Sequence, residues 1–132
     1  MKETHQGRCH CGAVRFEVQL DLAQPTFRCN CTICRRTRFW AAVARDEDFR
    51  LLEGAEALTR YVFGRMKNEH FFCRHCGVRP FGVGNDTPVG KMVGVNLGCL
   101  EGVDDEALAA IPVVRIDGLH DRMEAPAFAT HL

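Results

Sequence analysis

The sequence lacks an excess of either charge, a long apolar run and the common catalytic fingerprints, and each absence removes a class of function. Its 17 basic and 17 acidic side chains cancel, whereas a nucleic-acid binder carries a basic surplus or tail. The distribution is uneven all the same: residues 1–66 hold 11 Lys/Arg against 8 Asp/Glu (+3), and residues 67–132 hold 6 against 9 (−3). The longest apolar run, Phe39 to Ala44, falls far short of the roughly 20 residues that cross a bilayer as a helix. The opening MKETHQGRCH has no apolar stretch to serve as a signal peptide, so a reducing, cytoplasmic setting is expected. No Ser-His-Asp arrangement, phosphate loop, HExxH motif or dinucleotide fingerprint is found, and there is no internal repeat or low-complexity segment.

What the chain has instead is cysteine, 8 of its 132 residues. Seven fall into three clusters: Cys9-His10-Cys11-Gly12, Cys29-Asn30-Cys31-Thr32-Ile33-Cys34 and Cys73-Arg74-His75-Cys76-Gly77. Zinc takes four thiolates tetrahedrally, and close ligand pairs on tight turns supply two corners each at little entropic cost. The two pairs followed by glycine, Cys9/Cys11 and Cys73/Cys76, are therefore expected to close one structural site. Two disulfides, or a partition in which His10, His70 or His75 replaces a cysteine, are the alternatives.

Cys29, Cys31 and Cys34 can supply three ligands from one segment, which leaves a fourth position for water or substrate. The same cluster would be structural if His70, His75, His120 or Cys99 completed it, or redox-active if it bound no metal. Cys99, in the apolar Val95–Leu100 run, reads as a buried core thiol. Arg35, Arg36 and Arg38 follow the cluster at once. They either offset thiolate charge or hold carboxylates of an anionic substrate, with which arginine forms bidentate pairs. An open zinc lowers the pKa of a bound thiol as it does that of water, and three thiolates make it a poor Lewis acid for hydrolysis. Thiol chemistry is thus favoured over peptide or ester hydrolysis.

A chain of 132 residues is expected to form one domain, 1–132, small enough for metal to contribute to its stability. Ala13–Leu20 alternates, with Val14, Phe16, Val18 and Leu20 on one face, as a half-buried strand does. Further strands are expected over 26–28, 39–44, 49–52, 58–63, 70–72, 92–97 and 113–116. Turn signals separate them at Glu53-Gly54, Gly64, Gly84-Asn85-Asp86 and Gly90. One short helix is expected at 106–110, capped by Asp104 or Asp105 and ended by Pro112. From Asp121 the chain reads as a packed extended tail.

The ordered stretches GRCHCGAVRFEV, CNCTICRR and FFCRHCGVRPFGVG resemble the family of glutathione-dependent formaldehyde-activating enzymes, which also includes centromere protein V. The resemblance runs from about Gly7 to Asp121. It implies a mainly β fold of the β-tent type, with several short, coiled antiparallel sheets pinned by zinc. It also implies a structural zinc at Cys9, Cys11, Cys73 and Cys76 and a catalytic zinc at Cys29, Cys31 and Cys34. The implied reaction is that of a carbon–sulfur lyase in reverse, joining glutathione and formaldehyde as S-hydroxymethylglutathione. The partners implied are a small thiol and an aldehyde, with no nucleic acid and no membrane. The chain departs from the family's usual pattern at Asn30, where histidine is common, and at Thr37-Arg38-Phe39-Trp40, where small residues often follow the arginines. The alternatives are a non-catalytic, zinc-stabilised binding module, or the same site acting on another thiol. Oligomeric state and the roles of Trp40, Asn96, Asp117 and His120 are not set by the sequence.

Overall fold

The computed structural model describes residues 1–65 and 67–132. In chain order it contains β1 (Glu3–Arg8), β2 (Arg15–Leu20), β3 (Thr26–Cys29), α1 (Thr32–Thr37), β4 (Trp40–Arg45), β5 (Phe49–Glu53) and β6 (Leu58–Tyr61). There follow β7 (Asn68–Cys73), β8 (Phe81–Thr87), β9 (Gly90–Asn96), α2 (Asp105–Ala110) and β10 (Val113–Ile116). The fold is mainly β, as expected. A three-stranded sheet runs β1-β2-β5, and a seven-stranded sheet runs β10-β3-β4-β9-β8-β7-β6. All neighbours are antiparallel except β10 and β3, which are parallel.

The alternation read in β2 is the packing observed: Phe16, Val18 and Leu20 are buried, and Val14 just before the strand is too. Phe16 stacks on Phe49 at 5.6 Å, and Phe49 meets Phe81 at 4.7 Å, so this aromatic group ties the small sheet to the large one. Phe71 extends it, 5.2 Å from Phe81. Burying one such side chain contributes roughly 1.5–3 kcal/mol, and each well-placed ring pair about 0.5–1.5 kcal/mol more.

Two strands lie where the sequence gives no strand signal. β1, ETHQGR, is polar because it is an edge strand whose only strand partner is β2, its other side meeting the chain at a single bridge, Gly7 to Leu100. β8 contains Gly84-Asn85-Asp86, read above as a turn. The register shifts between Gly84 and Thr87, and the reversal comes later, at Pro88-Val89. An irregularity inside a strand pair uses the same residue types as a hairpin end. The segment expected as a strand to Phe63 stops at Tyr61.

The expected helix is present as α2, with the Asp104 carboxylate accepting from the Ala107 N–H at 2.8 Å. A second helix, α1, starts on sulfur rather than oxygen: Cys31 is its N-cap, and Sγ accepts from the Cys34 N–H at 3.5 Å. It carries no buried residue, so it shows no apolar periodicity by which it could be read. After Asp121 the chain runs through turns and bends with no further strand, then returns to bury Leu132.

Candidate metal centres and the adjoining cavity

The turn between β1 and β2 carries Cys9 and Cys11, and the end of β7 with the turn after it carries Cys73 and Cys76. The four Sγ atoms lie within 4.8 Å of one another. Cys9 to Cys11 and Cys11 to Cys73 are each 3.6 Å apart. A tetrahedron with metal–sulfur bonds of about 2.3 Å has edges of about 3.8 Å, so the spacing suits one metal ion. Each turn is built alike: the Val14 N–H points at Cys9 Sγ (3.3 Å) and the His75 N–H at Cys73 Sγ (3.4 Å). Gly12 (φ 81°) and Gly77 (φ 77°) take the left-handed conformation that closes each turn. Burial opposes ionisation of Cys76, but hydrogen bonds from the Cys11 and Val78 backbones and from neighbouring thiols outweigh it and bring the group down to about 6.

The second cluster forms where β3 runs into α1. Cys29 ends the strand, Cys31 caps the helix and Cys34 sits in its first turn, with their Sγ atoms also within 4.8 Å of one another. Cys31 is driven down to about 2 by hydrogen bonds from the Cys29 and Cys34 thiols, while Cys34 is driven far up by Cys29 and Cys31. Negative charges this close repel, and a cation between them lets all three ionise. Neither group of clustered ligands among the described residues includes a histidine; His10 and His75 are exposed. All eight cysteines are free thiols. Cys99 belongs to neither cluster, and burial pushes it up to about 12.

Distant residues complete the second cluster's surroundings. The Gly118–His120 turn that follows β10 docks on the Cys29–Cys31 segment: Asn30 Nδ2 donates to Asp117 Oδ1 at 2.9 Å, and the Leu119 N–H donates to Asn30 Oδ1 at 3.0 Å. Hydrogen bonds from Asn30 and then His120 hold the buried Asp117 carboxyl below its ordinary range. That carboxylate accepts from the His120 Nδ1–H at 2.8 Å, which fixes the orientation of the ring. Beside this turn opens a cavity of about 700 Å³ whose walls include Asn30, Arg35, Asp117, His120, Arg122 and His131.

The three arginines after the cluster separate. Arg35 borders the large cavity and a narrow cleft at Cys29 and Cys34. Arg36 turns back to donate to the Thr32 carbonyl at 2.9 Å and faces an aromatic hollow with Tyr61, Phe63 and Phe72. Arg38 borders the narrow cleft and donates to the His131 carbonyl at 2.6 Å.

Arg79 was not singled out from the sequence, yet it is a buried cation beside the second cluster. Its guanidinium lies 3.9 Å from the Phe39 ring centroid and bonds His70 Nδ1 at 2.7 Å. Burial disfavours its charge, and the Cys34 and Cys31 sulfurs restore part of what burial costs. Pattern reading had no signal for it, because its partners come from α1, β7 and the segment between α1 and β4. Asn96 serves the backbone near it, donating to the Arg79 carbonyl at 3.0 Å and accepting from the Gly98 N–H at 3.0 Å.

Fold and sites together define a mainly β protein with two cysteine clusters that could each hold a metal ion, one of four sulfurs and one of three. The sequence model of the family described as glutathione-dependent formaldehyde-activating enzyme matches residues 4–115, and the chain belongs to that family. A Halomonas elongata protein, provisionally named as such an enzyme, is 37% identical over 79 residues, covering 54% of this chain and 50% of that protein. The match thus spans half the length of that relative. A crystal structure of a Rhodobacter sphaeroides protein superposes with a TM-score of 0.70 at 40% identity, covering 83% of this chain and 99% of the other.

Proposed function

We propose that the protein joins glutathione to formaldehyde at the Cys29–Cys31–Cys34 site, working as a carbon–sulfur lyase in reverse, and that Cys9, Cys11, Cys73 and Cys76 hold a structural zinc. The supporting observation is the pairing of a closed four-sulfur cluster with a three-sulfur cluster whose flanking Asn30 and Arg35 line a cavity of about 700 Å³. In this reading residues 1–132 act as one zinc-dependent domain in a reducing compartment.

The donors fit zinc: all are thiol sulfurs grouped within 4.8 Å, with backbone N–H groups already directed at Cys9, Cys29, Cys31 and Cys73. Bound by the three-cysteine set, zinc supplies acidification of a substrate thiol. The chain's own residues do the rest. The large cavity admits the tripeptide, and Arg35 at its wall and Arg38 in the neighbouring narrow cleft hold carboxylates. The Asp117–His120 pair handles the proton: Asp117 fixes the imidazole through Nδ1, and Nε2 takes the thiol proton and returns it to oxygen. A carbon–sulfur bond forms at the carbonyl carbon, the C=O π pair moves onto oxygen, and that oxygen receives the proton. No oxidant or second co-reactant is needed.

Exchange NMR tests this by measuring how fast glutathione and formaldehyde interconvert with their adduct. Metal-loaded protein is expected to accelerate the exchange, and Cys31→Ser to abolish the acceleration. A folded, fully metallated wild type that leaves the rate at its spontaneous value would overturn the reading in favour of another thiol or a binding role.

A further inference from the structure

The arginines differ in their partners. Arg8, Arg15 and Arg50 on the small sheet, Arg45 on β4 and Arg60 on β6 each pair with a carboxylate. Among the described residues, no carboxylate side chain lies within ion-pair distance of Arg28, Arg38 or Arg115. Yet these three converge. Arg28 and Arg115 are register partners on parallel β3 and β10, and Arg28 and Arg38 border one cleft. Like charges side by side weaken a sheet, and the fold offers no acidic residue to offset them.

The cluster is also held in place. Arg28 lies over the Trp40 ring, 5.0 Å from its centroid, and Trp40 Nε1 is anchored to Thr26 Oγ1 at 2.8 Å. Arg38 ends α1 in the left-handed region (φ 56°, ψ 40°), where glycine is the usual residue. Keeping a long cationic side chain there costs conformational energy that a glycine would avoid. The donors already meet oxygen: Arg38 Nη1 bonds the His131 carbonyl at 2.6 Å, and Arg115 grips the Leu132 main-chain oxygen through Nε at 3.3 Å and Nη2 at 3.2 Å. Arg115 thus presents two donors along one edge of its guanidinium, now sharing a single oxygen; the same edge can meet the two oxygens of a carboxylate. Arg28, Arg38 and Leu132 border the same narrow cleft as Cys29 and Cys34. Offsetting thiolate charge does not account for the three, since the buried Arg79 already stands beside Cys34 in that role.

We propose that Arg28, Arg38 and Arg115 form a carboxylate cradle beside the Cys29 and Cys34 sulfurs, which takes a carboxylate of the thiol substrate in place of the main-chain oxygens of His131 and Leu132. The proposal rests on the thiol reading above and deepens it: a carboxylate of that thiol seats beside the Cys29 and Cys34 sulfurs, and residues 131–132 leave the cleft when it binds. Arg28 and Arg115 join Arg38 as specificity-determining residues.

Trp40, the single tryptophan, reports on the cradle because Arg28 lies on its ring. The metal-loaded protein is titrated with S-methylglutathione, whose sulfur has no proton to lose, and with the diester of that compound, which has no free carboxylate. The acid is expected to shift Trp40 fluorescence saturably, the diester to bind at least tenfold more weakly, and Arg115→Met to weaken the acid about ten- to a hundredfold with little effect on the diester. Equal binding of acid and diester, no binding of either, or an unchanged acid affinity in a folded Arg115→Met would overturn the cradle. The comparison of acid with diester needs no variant, so a misfolded Arg115→Met does not spoil the test. Acceleration of the NMR exchange without carboxylate-dependent binding sinks the cradle and leaves the reaction standing. Carboxylate-dependent binding without acceleration does the reverse.

Discussion

Gly118 and Cys29 are in such close contact that a Cβ at position 118 would lie 2.2 Å from the Cys29 sulfur. Only glycine lets the turn after β10 seat against the three-cysteine cluster. Gly118→Ala is therefore expected to push Cys29 out of place and lower the bound metal by one equivalent per chain, leaving the four-cysteine site filled. Metal analysis after gel filtration checks this, and an unchanged stoichiometry would contradict it.

The two clusters should differ sharply in their effect on stability. Cys73 is fully buried and joins the end of β7 to the β1–β2 turn, so Cys73→Ser should remove about 5 kcal/mol or more, much of a typical domain's stability. Cys31 lies on a helix with no buried residue, and a serine oxygen can replace its sulfur as N-cap. Cys31→Ser should cost about 1 kcal/mol or less in urea unfolding of the protein with the four-cysteine site loaded.

Arg79→Met should destabilise the fold by about 3 kcal/mol, because it leaves the buried His70 Nδ1 without its partner. It should also weaken metal binding at the three-cysteine site, measured by competition with a chelator, since a cation near Cys34 is lost. Arg79→Lys should not restore either property: a compact ammonium cannot lie flat on Phe39 while reaching His70.

Glu69 gives a pH signature away from both clusters. Its carboxyl is held below the ordinary carboxylate range by hydrogen bonds from Asn85 and then Arg60. A lowered folded pKa means stability that is present above the unfolded value and lost as pH falls through the folded one. Thermal melts of wild type and Glu69→Gln should thus differ at neutral pH and converge on acidification below the ordinary glutamate range. A gap that widened with acid would reverse the sign of this linkage.

What was legible in the sequence was what local chemistry encodes. The alternation of Val14, Phe16, Val18 and Leu20 gave β2 its face, Asp104 marked the start of α2, and the spacing of the cysteines separated a group of four from a group of three. What was not legible depends on partners far along the chain. β1 has no apolar face because it is an edge, and α1 has none because it buries nothing. Arg28 is unremarkable until β10 sets Arg115 beside it, and Arg79 until its neighbours surround it. Asp117 and His120 could be given no role before the turn carrying them was seen against Asn30.

The parallel pairing of β10 with β3 also sets a timetable. The four-cysteine cluster has all its sulfurs once the ribosome has passed residue 76, whereas the three-cysteine cluster, complete in its ligands by residue 34, gets its supporting turn from Gly118 only some 80 residues later. Because a domain folds as a unit, the seating of Cys29, Cys31 and Cys34 waits for the last strand and the turn that follows it.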